Sequence, residues 1–275
     1  MIEQAQAAGL AYREAKPSSG EPAGTALLLH GWPESSWMWR GTLEPLADAG
    51  WRAVAPDFAG YGDSPPDPPG TWERHIAQLD RFHRELDLGR VALVVHDWGG
   101  LIGLRWACDR PDAIATLCVS NTGFFPDGRW HDLARTMRTE GEGEKLVESF
   151  DRSTFDTLIR QAIPGVDDDT LDEYWKGLSD DVRRRGALEM YRSGDFEKLA
   201  PYEGKLAALG VPTLVLWGAN DPFAPVAGAH RFLKEIPGAE LVLLEGVGHF
   251  SPEEAPDRYS AALVEFLRRT GGPAT

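Results

Sequence analysis

Residues 91–104, VALVVHDWGGLIGL, constrain this chain more than any other stretch. An apolar run from Val91 to His96 leads directly into Asp97-Trp98-Gly99-Gly100, and a second apolar segment with helical spacing follows at once. A short run rich in β-branched residues reads as a buried parallel strand, and paired glycines permit a sharp turn into a helix packed close to it. This is the shape of a nucleophile elbow, which projects one side chain from the C-terminal edge of a sheet. The serine form reads G-x-S-x-G; here Asp97 takes the nucleophile place and Val95 replaces the first glycine, while Gly99 and Gly100 keep the side that meets the helix. The plainer reading of Asp97 is an N-cap for the helix that follows.

The chain of 275 residues is long enough for one large α/β domain, or for such a domain carrying an insertion. A hydrophobic content of 42% supplies a core and argues against disorder. The formal charge of −15 argues against nucleic acid or an anionic membrane surface as a partner. Cys108 and Cys118 both fall in apolar segments, which suggests buried thiols rather than a disulfide framework. The opening MIEQAQAAGL is not an apolar leader, and no uninterrupted apolar run of about 18 residues occurs. A cytoplasmic protein, monomer or homodimer, is the expectation.

Along the chain, residues 10–14 read as an edge strand, 25–30 as the first buried strand, and 37–48 as a helix behind the Glu34-Ser35-Ser36 capping region. A strand over 51–57, a Gly- and Pro-rich loop, and a polar helix over 71–87 precede the elbow. Another strand follows at 115–121. From Gly123 to Gly204 only short charged helical segments appear, and the strand–helix rhythm returns with strands at 212–218 and 240–245 and helices near 226–236 and 253–269. Strands alternating with helices imply an α/β fold, a mostly parallel central sheet with helices on both faces. The interruption reads as an inserted helical cap, which divides the chain into core 1–122, cap 123–205 and core 206–275. A cap matters because ligands of open α/β sheets sit at the strand edge it would cover.

Two further residues complete the elbow. Asp221 lies in the Gly218-Ala219-Asn220-Asp221-Pro222 turn, and His249 lies in Gly246-Val247-Gly248-His249-Phe250, each just past the end of an expected strand. Singly, Asp before Pro is turn chemistry and a loop histidine is commonplace. Together they give the order nucleophile, acid, histidine.

On these residues, with His30-Gly31-Trp32-Pro33, Gly60-Tyr61-Gly62-Asp63-Ser64 and Asn121-Thr122-Gly123, the chain resembles the α/β-hydrolase superfamily over nearly its whole length. The branch it resembles has an aspartate nucleophile and contains haloalkane dehalogenases, fluoroacetate dehalogenases and epoxide hydrolases. The likeness implies that Asp97 attacks an sp3 carbon to give an alkyl ester, which water activated by His249 and Asp221 then hydrolyses. It also implies that the backbone N–H groups of Trp32 and Trp98 hold the oxyanion. Attack by aspartate on an ordinary ester would give an anhydride, so a general esterase is disfavoured. No H-E-x-x-H and no Cys/His cluster occurs, so neither metal nor cofactor is expected, and His75, His83, His131 and His230 read as surface residues.

A departing halide needs N–H donors, while a departing alkoxide needs a proton. Trp32 and Trp98 could serve the first, and Tyr191 resembles the second cap tyrosine of epoxide hydrolases. Residues 124–160 contain no tyrosine to be the first. Phe125, Trp130, Phe150, Phe155, Trp175 and Phe250 are candidates to line the pocket, with Trp130 and Trp175 as further halide donors, although packing under the lid explains most such aromatics. The expected partners are therefore a small hydrophobic halide or epoxide and water. Dehalogenation ranks first and epoxide hydrolysis second. A receptor or a cofactor-free oxygenase or luciferase on the same fold is the alternative of another class.

Overall fold

A computed structural model describes residues 1–270. Among the described residues, eight strands form one sheet in the order β1-β2-β4-β3-β5-β6-β7-β8. β1 (Ile2–Ala7) and β2 (Leu10–Ala15) make an antiparallel hairpin, β2 pairs antiparallel with β4 (Trp51–Pro56), and from β4 onward every pairing is parallel. The parallel strands are β3 (Gly24–Leu29), β4, β5 (Val91–His96), β6 (Ile114–Ser120), β7 (Thr213–Gly218) and β8 (Glu240–Leu244).

The N-terminal hairpin corrects the expected edge. Leu10–Ala15 is paired on both sides, and the true edge is Ile2–Ala7. Its sequence IEQAQA is largely exposed, so no burial pattern marks it; pairing to β2 makes it a strand. β2 itself is buried throughout, including Arg13, which reaches Ser36, and Glu14, which accepts from Arg52.

Every residue of β5 is buried, as a central strand covered on both faces requires. The cover comes from α1 (Arg40–Asp48), α2 (Trp72–Glu85) and α3 (Trp98–Asp109), then α10 (Ala227–Glu235) and α12 (Pro256–Thr270) further along the chain. α1 packs on α12 and α2 on α3. The expected helix at 37–48 begins as a tighter 3-10 turn, Ser36–Trp39, before α1. The expected closing helix is two elements, α11 (Ser251–Glu254) and α12, broken ahead of Pro256.

Between β6 and β7 lie α4 (Asp132–Arg138), α5 (Glu142–Ser149), α6 (Arg152–Ala162), α7 (Asp168–Trp175) and α8 (Asp181–Ser193), and α9 (Lys205–Ala208) leads into β7. Asp151, Asp167 and Asp180 cap α6, α7 and α8 with their carboxylates. Among the described residues, no helix is long and apolar enough to cross a membrane.

His75 departs from its expected surface position. It lies on the inward face of α2 with Trp72, Leu79 and Phe82, a spacing of three and four residues that marks one helix face. Its ring packs 5.6 Å from Phe58 and 6.5 Å from Tyr61. Burial, aided by neighbouring His30, brings its pKa down to about 4, so the folded ring is neutral where an unfolded one is charged. Folding stability should therefore fall as pH drops from the unfolded value of about 6.5 towards 4. The sensitivity to acid measured by urea unfolding at pH 7 and pH 4.5 should shrink in His75→Phe by about 2 kcal/mol. Equal acid sensitivity in both proteins would mean that His75 carries none of it.

Candidate active site

Asp97 joins β5 to α3 with φ 46° and ψ −121°, a left-handed conformation that ordinary side chains avoid. Its surroundings force the turn. A Cβ on Gly31 would lie 2.4 Å from the Asp97 Cβ, and one on Gly99 would lie 2.4 Å from the carbonyl oxygen of Leu29. Glycine is therefore required on both sides of the carboxylate, which fits an elbow better than a simple N-cap; the Asp97 side chain makes no cap hydrogen bond to α3. The Thr122 hydroxyl donates to the Asp97 carbonyl at 2.6 Å and ties the turn to the end of β6.

The three candidate catalytic residues meet here. The Trp32 backbone N–H donates to Asp97 Oδ1 at 2.9 Å, and His249 Nε2 lies 3.7 Å from Asp97 Oδ2. On the other side of the ring, His249 Nδ1 is 2.7 Å from Asp221 Oδ2. Asp221 accepts further N–H groups, from Phe223 and Ala224 on Oδ1 and from the Asn121 side chain on Oδ2. Trp98 follows Asp97 at the first turn of α3, where backbone N–H groups have no intrahelical acceptor.

Burial pushes the Asp97 carboxyl up, but His249, His96 and the Trp32 N–H outweigh it and hold the pKa down to about 2. Burial likewise opposes ionisation of Asp221, and His249 with the surrounding N–H donors keeps it below the usual carboxylate range. For His249, burial favours the neutral ring, yet the two flanking carboxylates raise its pKa well above the ordinary value. The two flanking carboxylates thus favour an imidazolium over a neutral ring. Beneath it, His96 packs at a tilt against His249, with ring centres 4.9 Å apart, and lies 3.4 Å from buried Glu34, whose other oxygen accepts the Gly31 N–H.

Two cavities reach Asp97. The larger, about 400 Å³, is lined by Trp98, Phe125, Trp130, His131 and Tyr191 among others; the smaller, about 50 Å³, by Trp32, His131, Leu158, Tyr191, Phe223 and Phe250. Tyr191 sits edge-on to both Trp32, at 5.7 Å, and Trp98, at 5.0 Å. The indole N–H groups of Trp32 and Trp130 are buried without a hydrogen-bond partner among the described residues. Burial and the Asp97 charge keep the Tyr191 hydroxyl protonated, with its pKa well above 10.

Six cap and loop aromatics were candidates for the pocket, and Phe125, Trp130 and Phe250 line it. Phe150, Phe155 and Trp175 do not line either cavity. Phe155 and Trp175 pack on each other at 5.4 Å, and Phe150 is buried with its carbonyl bonded to Arg184, so Trp175 cannot meet a leaving group at Asp97. Conversely, His131 belongs to both cavities although it read as a surface residue. Its Nδ1 accepts the Ala134 N–H at 3.3 Å, which leaves the proton of the neutral ring on Nε2. The only sequence signal for this was its place just before α4, where a cap is needed. Phe223, sandwiched between His131 and His249 at 5.1 and 5.2 Å, had no signal.

The family profile described as alpha/beta hydrolase fold matches residues 26–256. The chain belongs to that family. Among similar family members, a haloalkane dehalogenase of Mycobacterium marinum is 42% identical over 278 residues, covering 93% of this chain and 87% of that protein. Epoxide hydrolase A of Mycobacterium tuberculosis is 30% identical over 308 residues, covering 90% and 92%. The crystal structure of haloalkane dehalogenase DbeA from Bradyrhizobium elkani superposes with a TM-score of 0.83 over 98% of each chain at 24% identity, a likeness of fold.

The charge state of the histidine is directly measurable. In Asp221→Asn the His249 ring should titrate at lower pH than in the native protein, because the largest stabiliser of the imidazolium is gone. Histidine NMR reads this, and an unchanged titration would mean that Asp221 does not set the charge of the ring.

Proposed function

We propose that the protein is a haloalkane dehalogenase working through a covalent ester on Asp97. The observation that carries this is a carboxylate at the elbow, ionised and held by the Trp32 N–H, facing an apolar cavity whose wall holds an unpartnered indole donor. The relatives of the same family named as dehalogenases support it. In this reading residues 123–205 act as the cap over the strand edge, between core segments 1–122 and 206–275; the last five residues of the second segment fall outside the described residues.

The reaction follows from the geometry. The free Asp97 oxygen attacks the carbon, the carbon–halogen bond breaks, and the halide leaves towards the Trp32 and Trp98 side chains and Tyr191. A halide is a very weak base, so it takes hydrogen bonds and no proton. Esterification removes the Asp97 charge, and with it one of the two carboxylates that hold His249 protonated. The ring can then release its proton to solvent and act as base in the second step. Water attacks the ester carbonyl and gives a proton to His249. The oxyanion forms on the oxygen that already accepts the Trp32 N–H. Collapse releases the alcohol, protonated by His249, and the second proton of the water then passes to the ring as the Asp97 carboxylate re-forms, which restores the imidazolium. The balance is halide plus water to alcohol, halide ion and one proton, from a small apolar substrate.

A second reading, epoxide hydrolysis, is favoured by His131. That reaction needs donors for an alkoxide, and the sequence offered only Tyr191. His131 adds an Nε2–H donor in the same two cavities, and Tyr191 can give up a proton to an alkoxide, which is far more basic than a phenolate.

Mass spectrometry of His249→Gln separates the readings. Terminal bromoalkanes should leave a plain alkyl adduct on the Asp97 peptide, with stoichiometric halide release. A hydroxyalkyl adduct from epoxides alone would transfer the assignment to epoxide hydrolysis, and no adduct from either set would sink the covalent reading. Tyr191→Phe should retain halide release within about twofold, since two indole donors remain. For the native protein, single-turnover halide release should be flat from about pH 5 to 9, because Asp97 stays ionised, while ester hydrolysis should speed up as His249 deprotonates. Acid-limited halide release would contradict this order of steps.

A further inference from the structure

The loop that carries His249 is gripped by a side chain outside the catalytic trio. Glu254, at the end of α11, accepts the Gly248 N–H on Oε2 at 2.7 Å and the Phe250 N–H on Oε1 at 3.0 Å. These are the two amides flanking His249. One carboxylate therefore brackets the backbone of the histidine, and charge-assisted bonds of this kind are the stronger class. The approach is tight: a Cβ on Gly248 would lie 2.9 Å from Glu254 Oε1. The turn bearing Glu254 is itself fixed. Its neighbour Glu253 accepts from Arg40 and from the Tyr174 hydroxyl of α7, and the Ser251 N–H donates to the His249 carbonyl at 2.9 Å.

We propose that Glu254 is a positioning residue that sets the approach of His249 to the Asp97 carboxylate and is needed for ester hydrolysis but not for ester formation. The inference rests on the two-step reading above. Asp97 is held by β5, α3 and the Trp32 N–H, whereas the Glu254 carboxylate is hydrogen-bonded to the histidine loop, so the attacking group keeps its place when the bracket is removed. His249 is held by Asp221, by ring contacts with His96 and Phe223 and by the loop backbone, and the backbone is the part that Glu254 fixes. Without the bracket the ring can tilt about its bond to Asp221 and lose the line to a water at the ester. Displacements of about 1 Å suffice to slow a step by about a hundredfold.

The test compares native protein, Glu254→Gln, Glu254→Ala and His249→Gln with 1-bromobutane, by rapid-mixing halide release and intact-mass spectrometry. Glu254→Ala should show a full burst of halide at the native rate, a steady state slower by about tenfold or more, and butyl ester on most of the enzyme at steady state. Glu254→Gln keeps one acceptor and should fall between the two; it also carries the test where the alanine variant does not fold. A slowed steady state without burst or adduct, or both steps slowed alike with a lowered melting temperature, would overturn the positioning role in favour of general stability. An unchanged steady state would overturn it too. Absence of adduct in His249→Gln would overturn instead the two-step reading on which it rests.

Discussion

The left-handed turn at Asp97 is the constraint around which the other parts of the site are arranged. A non-glycine residue in such a conformation costs of order 1–3 kcal/mol and persists only where its surroundings leave no alternative. Here β5 is buried along its whole length, α3 presses Gly99 onto the carbonyls at the end of β3, and Gly100 fits against Thr122 at the end of β6. Three consecutive positions of the sheet thus share one crowded junction. The side chain can only point outward over the strand edge. The same close packing recurs where the histidine loop meets β7: a Cβ on Gly218 would lie 1.9 Å from the Gly248 carbonyl oxygen. The acid and histidine loops are thus in close backbone contact in addition to their side-chain hydrogen bond.

The turn supplies direction, and the charges supply timing. Two carboxylates around one imidazole would repel if all hydrogen bonds were shared evenly, but Asp221 is loaded with donors from Phe223, Ala224 and Asn121. Asn121 accepts the Gly218 N–H and the Ser251 hydroxyl on its other atom, so one amide links β6, β7 and α11 to the acid. Asp221 is consequently committed to His249. Asp97 keeps one oxygen for the Trp32 N–H and the other near the ring, and its low pKa means that it is available as an anion over the whole working range. In the proposed reaction its charge is the one element that disappears, and the protonation of His249 is then coupled to progress along that reaction.

That Asp97, Asp221 and His249 meet was legible because each follows a strand that its own sequence announces: VALVVH before Asp97, TLVLWG before Asp221 and ELVLL before His249. Buried parallel strands are continuous apolar runs, and in this architecture their C-terminal ends are where function collects. The helical segment offers no such rule. Phe155 and Phe125 look alike in sequence, yet one fills the space against Trp175 where α6 meets α7, and the other lies in the loop after β6, against Phe232 of α10, and faces the cavity; tertiary packing rather than local pattern sets both. His131 was misread for a similar reason. Its ring is enclosed by Phe223, 92 positions away, and a lone polar residue before a helix carries no trace of that contact. β1 failed from the opposite side: an exposed edge strand has no apolar alternation to display.

What the cavity does to a leaving group depends on the acidity of its donors rather than their number. Trp32 presents a buried indole N–H, a donor that never gives up its proton at ordinary pH and so suits a halide. Tyr191 lies between Trp32 and Trp98, with its hydroxyl kept neutral by burial and by the negative Asp97. Towards a halide it is one more hydrogen-bond donor; towards an alkoxide it is an acid. His131, with Nδ1 already engaged by α4, is confined to the role of donor through Nε2. A pocket built from such groups stabilises a leaving anion of either kind, and the difference between the two chemistries reduces to a single proton. The indoles can assist carbon–halogen cleavage without it, whereas opening an epoxide makes every turnover depend on Tyr191. Under the two proposed readings, that dependence makes the phenol, rather than the elbow, the group that tells the two chemistries apart.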